Sequence, residues 1–196
     1  MKSILEVIEE ITKLLEEFRK KWGYQNCLLS LIGGYAIIAH GVERVTRDID
    51  FMVYCDPPEG IGKRLKSFLM EKFLNAEVTY AEASRDLEDP LKHDVVFLRD
   101  QKGEYPFIDF LIARYKWELE GLKKAKRPRD VPVAILPIPY LIAMKLRSMG
   151  FKDELDILEL FQLASDEEKE EIYRLAKRVR REEKLSKILE KIHGIK

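Results

Sequence analysis

Three aspartates set in apolar, strand-like runs are the residues of this chain whose types and spacing best support chemistry. Asp48 and Asp50 stand one residue apart in DIDFMVY, and Asp109 lies in PFIDFLIA. Successive side chains of a strand point to opposite faces, so Asp48 and Asp50 share one face while Ile49, Phe51 and Val53 take the other. Ionised carboxylates among Ile, Phe, Leu and Val are costly to bury without a cation or several donors, and three together also repel one another. A hard divalent cation relieves both problems. Magnesium takes oxygen ligands and commonly keeps waters and substrate phosphates in its shell, which suits two or three convergent aspartates. Acidic residues one apart also occur on solvent-facing strand edges, so the pair gains its meaning from what surrounds it.

Gly33 and Gly34 precede the pair, where an apolar strand over residues 27–32 gives way to a short helix over 35–40. Glycine admits close approach of a backbone to a ligand, and free amides at a helix start attract anions, so the glycines read as a phosphate cradle ahead of a metal-binding strand. The plainer alternative is a turn. Arg44, Thr46 and Arg47 follow, either as solvated loop residues or as charge-assisted donors to a phosphate. His40 reads as a packed or capping histidine, since one His supplies no metal spacing.

The elements that must position these residues are legible from periodicity. Ile4, Leu5, Ile8, Ile11, Leu14, Leu15 and Phe18 form a helical stripe. A helix over 62–73 follows the DPPEGIG turn, strands are expected near 76–81 and 94–98, and the segment 100–104 reads as a hairpin loop that lays Asp109 antiparallel to the strand before it. The run KKAKRPRD at 123–130 reads as a basic, Pro-broken loop, either solvated or facing a polyanionic acceptor. A strand within VPVAILPIP enters a helix at Pro139, and helices over 141–149, 152–163, 166–180 and 182–192 complete the chain. The fold class is α/β in the mixed-sheet sense, with a catalytic-type domain over 1–136 and a helical subdomain over 137–196. Lys145, set among apolar neighbours, is the better candidate there for substrate contact, whereas Lys152 with Asp156 suggests a surface pair.

At 196 residues and 46% hydrophobic content the chain can bury a substantial core. Lys plus Arg and Asp plus Glu number 35 each, so no global charge advertises a nucleic-acid or anionic-membrane partner. Residues 25–42 lack charged side chains but contain Gln25, Asn26, Ser30, the glycine pair and His40, which favours a buried strand and helix over a membrane span. Cys27 and Cys55 lack metal-ligand spacing and read as buried thiols. No secretory signal is visible at the charged N-terminus, so a cytoplasmic location is expected. A charged fraction of 36% with two Asn and three Gln resembles thermophile composition.

The stretch GGYAIIAHGVERVTRDIDF resembles the signature of the nucleotidyltransferase superfamily that includes DNA polymerase beta, and within it the small prokaryotic branch with toxin-like members. That pattern is a glycine pair at a strand-to-helix turn, two acids one residue apart on the next strand and a third acid on a later strand. Gly33 and Gly34, Asp48 and Asp50, and Asp109 fill those places in order across residues 29–113, and residues 143–157 resemble a Lys and Asp helical segment of the same branch. Tyr35 departs from the Ser that many members carry after the glycines.

The resemblance implies that Asp48, Asp50 and Asp109 are catalytic and bind two Mg2+ ions, with Mn2+ as a substitute, and that Gly33, Gly34, Tyr35, Arg44 and Lys145 contact the nucleotide. The expected activity is transfer of a nucleoside monophosphate from a triphosphate such as ATP to an acceptor hydroxyl on RNA, a protein or a small molecule, with release of pyrophosphate. A toxin role, an antitoxin partner and a homodimer accompany that reading, with no membrane partner. The alternatives are a non-catalytic nucleotide-sensing or partner-binding module, and a metal-dependent phosphodiesterase using the same acids.

Overall fold

The N-terminal stripe becomes α1 (Ile4–Trp22), in the computed structural model that describes residues 2–84, 92–148 and 150–193. Ser3 and Glu6 close a capping box at its start, Gly23 ends it in the left-handed conformation, and Arg19, Lys20 and Lys21 occupy the last turn, where the helix dipole favours cations. Val7, Ile8, Ile11, Leu15 and Phe18 are buried. Leu5, read as part of the stripe, is exposed, and Val7 takes its place.

Six strands form one mixed sheet: β1 (Asn26–Ile32), β2 (Asp48–Asp56), β3 (Ala76–Ala81), β4 (Val95–Asp100), β5 (Phe107–Ile112) and β6 (Ala134–Ile135), in the order β3-β4-β5-β2-β1-β6. The β4 and β5 strands are the antiparallel hairpin expected from the 100–104 loop, while β5 runs parallel to β2. Asp100 stabilises that loop by accepting from the amides of Lys102, Glu104 and Tyr105. The sheet's edge strand β6 is short and parallel to β1, and the buried Ser30 hydroxyl donates to the Ala134 carbonyl at their junction.

The helices are α2 (Gly33–Ala39), α3 (Ile61–Lys72), α4 (Lys116–Lys124), α5 (Ile138–Arg147), α6 (Phe151–Leu163), α7 (Asp166–Arg178) and α8 (Glu182–His193). Among the last four, α5 packs on α6 and α7, and α8 packs on α6 and α7. One hydrophobic cluster runs from Phe18, Phe51 and Phe68 to Leu146, Leu160 and Ile188. The end of the helix expected at residue 149 lies outside the described residues.

Two expectations are corrected. Residues 123 and 124 belong to α4, not to a loop. The helix is hard to read because Gly121 interrupts its apolar face and Glu118 is a fully buried acid. Gly121 admits the Tyr140 ring, which a Cβ would meet at 2.6 Å. Cys27 and Cys55, read as thiols, are bonded in a disulfide. The antiparallel register of β1 and β2 sets them directly opposite each other, a pairing that spacing in the sequence does not encode.

Behind the acidic face, Phe51 is fully buried and stacks on Phe110 with ring centroids 5.6 Å apart. Phe51→Ala is expected to lower stability by about 3–5 kcal/mol, read as a drop in the urea midpoint with an unchanged denaturant slope. A loss below about 1 kcal/mol would show that this pair does not anchor the β2–β5 contact.

Candidate active site

The central strand β2 brings the acids together through its two neighbours. On β5, Asp109 is the register partner of Asp50, and Phe107 that of Asp48. Paired strands lie about 4.8 Å apart, so Asp50 and Asp109 project side by side from one face, with Asp48 two residues along on the same face. On the other side of β2, Ile32 is the partner of Asp50 and is the last residue of β1.

The chain then turns at Gly33 with φ of +61°, a conformation that L side chains rarely adopt. A Cβ on Gly33 would sit 1.9 Å from Asp50 Oδ2, and one on Gly34 would sit 2.6 Å from Thr46 Oγ1. The expectation was close approach by a ligand. The missing side chains also make room for those of Asp50 and Thr46. Ile32 offers no side-chain cap, so the first amides of α2 lack a side-chain acceptor there.

Asp50 is half-buried and its carboxyl is pushed up to about 7, first by burial, then by the charges of Asp109 and Asp48, against the smaller opposing influence of Lys145 and Arg44. Arg99 stands beside Asp109, with Nη1 2.6 Å from Oδ1. The guanidinium also lies over Phe97 and Phe107, and its Nη1 donates to the carbonyls of Leu98 and Ile108. Those donations turn its hydrogens away from Asp109, so the buried Oδ1 has a neighbouring charge but no hydrogen-bond partner.

The cations expected at a phosphate are ion-paired. Arg44 pairs with Asp156, which is 5% exposed. Lys145, half-buried as its neighbours suggest, lies 2.6 Å from Asp156 Oδ2 and 2.7 Å from Asp153 Oδ1. Asp156 is therefore a buried clamp on two cations, not the surface partner of Lys152. Tyr35 is half-buried, its hydroxyl donates to the Thr46 carbonyl at 3.5 Å, and burial followed by the charge of Asp48 raises its pKa. His40 packs as a structural residue, with Nε2 donating to the Leu136 carbonyl.

The donor set fits a hard divalent cation in chemistry: all oxygens, one of them buried without a partner, and one acid whose pKa is raised first by burial and then by its acidic neighbours. Among the described residues no three acidic, His or Cys side chains are drawn into a closed ligand shell. Magnesium commonly leaves positions to waters and phosphates, so a closed protein shell is not required.

No protein-family model and no curated protein matches the chain. Among solved structures, ANT(2")-Ia in complex with adenylyl-2"-tobramycin is similar at a TM-score of 0.51, with 14% identity over 88% of this chain and 98% of that one. An antigenic nucleotidyltransferase-like protein from Paracoccidioides brasiliensis gives 0.46, with 16% identity over 93% of this chain and 92% of that one. The lincosamide antibiotic adenylyltransferase LnuA, bound to lincomycin, gives 0.45, with 12% identity over 80% and 97%. The chain has a nucleotidyltransferase fold.

Within that nucleotidyltransferase fold, sequence reading missed Arg99 and the clamp by Asp156. Arg99 carries a detectable signal, since a cation two residues from Phe97 on β4 shares the face of Asp109 once the hairpin register is known. A third omission is Glu118, which is fully buried, accepts from the amides of Arg114 and Tyr115, and pairs with His93 Nε2 at 2.7 Å. Its signal, an acid in an amphipathic helix, is indistinguishable from a surface residue.

Asp50 gives a stability prediction whose sign follows from its raised pKa. From about pH 4 to 7 the folded protein retains a proton that the unfolded chain, with a carboxyl near 3.8, has released. Stability from this group therefore falls as pH rises through that window and levels off above 7. In chelator, Asp50→Asn is expected to be more stable than wild type at pH 8 by on the order of 2–4 kcal/mol, with the difference shrinking toward pH 5. Urea unfolding at four pH values measures it, and a pH-independent difference would refute the assignment.

Gly33→Ala combines a left-handed backbone with a clash against Asp50 Oδ2. It is expected to cost about 1–3 kcal/mol and to abolish any rise in melting temperature produced by Mg2+ or Mn2+. A normal metal-dependent rise in that variant would show that Asp50 need not hold its position.

Proposed function

We propose that the protein is a divalent-metal-dependent nucleotidyltransferase that moves a nucleoside monophosphate from a triphosphate to an acceptor hydroxyl, with pyrophosphate as the leaving group. The observation that carries this reading is the register that puts Asp50 beside Asp109, with Asp48 on the same face and the Gly33 turn pressed against Asp50. Acids have no reason to be packed this way for stability, because like charges side by side destabilise a fold.

In this reading Asp48, Asp50 and Asp109 hold Mg2+, which when bound would neutralise the triphosphate and polarise the reacting phosphate. Asp109, with a buried oxygen free of hydrogen bonds, is the group that takes the proton of the acceptor hydroxyl. Uncapped amides at the start of α2 meet the phosphates, and Tyr35 stands where its ring or hydroxyl can contact the nucleotide. Arg44 and Lys145 contribute by moving from Asp156 and Asp153 toward phosphate, an exchange of one anion for another at little net cost. The part of the chain over 1–136 presents the acids, and the part over 137–196 supplies Lys145 and its clamp.

ANT(2")-Ia, whose solved structure holds an adenylylated aminoglycoside, supports a small-molecule acceptor as one class to test alongside RNA and protein. A second reading, a nucleotide-binding module without turnover, is favoured by one observation: Arg99 already occupies the flank of Asp109. A toxin role lies within the first reading and would appear as growth arrest on expression.

Each nucleoside triphosphate, labelled on the α-phosphate, is incubated with protein, Mg2+ and a mixture of RNA, protein extract and aminoglycosides. Label is expected in one acceptor class, with release of pyrophosphate and a loss on the order of 10³-fold in Asp50→Asn. Metal-dependent nucleotide binding without transfer would select the module, hydrolysed strands without pyrophosphate would select a phosphodiesterase, and no nucleotide binding would refute both the transferase and the module.

A further inference from the structure

Away from the aspartates, the corner between α4, α5 and the α7–α8 turn forms an open cleft of about 340 Å³. Five cations line it: Lys116, Arg147, Arg178, Arg180 and Arg181. Among the described residues no carboxylate lines it. Arg178 is neutralised by a bidentate pair with Glu120, at 2.6 and 2.9 Å. Among the described residues the other four have no ion pair. Glu182 and Glu183 open α8 next to Arg181 but do not line the cleft. In a chain whose net charge is zero, this is a local concentration of positive charge that stability does not explain.

Two features show that the arrangement is held rather than accidental. Arg147 donates to the Tyr115 hydroxyl at 3.0 Å and lies 4.2 Å over its ring, while Trp117 stacks near that ring. The guanidinium is thus pinned as a rigid floor. Arg180 has φ of +57°, and among the described residues it is the only non-glycine with positive φ. It sits where the chain leaves α7, with the Arg181 amide donating to the Ala176 carbonyl and the Arg180 amide to that of Lys177. That is the glycine position of a Schellman motif. An arginine there is strained by its own backbone, and strain of this kind collects where a side chain has a task.

We propose that this pocket is a binding site for closely spaced phosphate groups, separate from the candidate active site, with Arg180 and Arg181 as its principal donors. Guanidinium forks match phosphate oxygens in pairs, and four uncompensated cations around one concavity call for a ligand with several adjacent negative charges. A free polyphosphate, such as the pyrophosphate or triphosphate part of a nucleotide, has that chemistry. So does a nucleic-acid strand. The basic run at 123–130 is a weaker candidate, since Lys124 is committed to Glu171 and Arg127 donates to the Val131 carbonyl.

The test uses the full chain in chelator, where the three aspartates repel anions and contribute no phosphate binding. The probes are inorganic tripolyphosphate, followed by calorimetry, and a fluorescent twelve-residue oligouridylate, followed by anisotropy. Arg180→Gly relieves the left-handed strain, so it is expected to melt at or above the wild-type temperature while weakening binding roughly tenfold or more. Arg181→Gln is expected to weaken binding similarly. Tripolyphosphate binding lost in both variants assigns a free polyphosphate, and oligouridylate binding alone, lost in both, assigns a strand. Binding of neither probe, or equal affinity in wild type and both variants, overturns the proposal. Neither result bears on nucleotidyl transfer, which is measured with metal present.

Discussion

Asp50 and Asp109 repel each other, and the sheet holds them together because of what lies on its other face. The parallel register of β2 and β5 pairs Phe51 with Phe110 in the core as it pairs Asp50 with Asp109 outside it. A slip of one residue would turn Phe51 outward and send the carboxylates into the hydrophobic cluster, so the core holds the register against the repulsion of the acids. Burial of two aromatic side chains stabilises by several kcal/mol, against a charge conflict of similar or smaller size that protonation of Asp50 partly relieves. The acidic face is therefore a consequence of packing behind it. The same logic sets Gly33, which must be glycine because β1 ends opposite Asp50 and the chain has to turn against its carboxylate.

The cations near this face are arranged so that they temper the acids without cancelling them. Lys145 and Arg44 reduce the rise in the Asp50 pKa, yet both are held by carboxylates from α6. Asp153 sits in the first turn of α6, where the helix dipole favours an acid, and accepts from Lys145. The loop after α2, which carries Arg44, is thereby tied to the C-terminal helices through Asp156. Any ligand that draws Arg44 or Lys145 away must loosen that tie, so occupancy of the acidic face is coupled to the seating of α6 against the rest of the chain.

Much of this was legible because the signals were local. Strand alternation puts Asp48 and Asp50 on one face, the 100–104 loop announces its hairpin, and the apolar stripe between Ile4 and Phe18 marks α1. What escaped depends on partners far apart in sequence. Cys27 and Cys55 are 28 residues apart and meet only because β1 and β2 pair in one register. Asp156 finds Arg44 across 112 positions, and an i,i+4 reading with Lys152 cannot reveal it. Glu118 inverts the usual rule that an acid in a helix faces water, since two amides and His93 replace its solvation. The strand and helix patterns follow from periodicity, whereas the ionic contacts follow from topology.

A net charge of zero conceals this topology. Along β5 the signs separate: Asp109 stands near its start, and Arg114 and Tyr115 lead from its far end toward the arginine-lined cleft. Six residues of chain connect Asp109 with Tyr115, so the two regions lie within about 20 Å of each other. Salt at physiological strength screens exposed charges beyond about 8 Å, so at that spacing the acidic face and the basic corner act on an approaching polyanion largely independently. Screened surface charges alone would therefore correlate weakly, whereas enclosed ones, such as Asp109 in its half-buried strand and Arg147 on the Tyr115 ring, keep their reach.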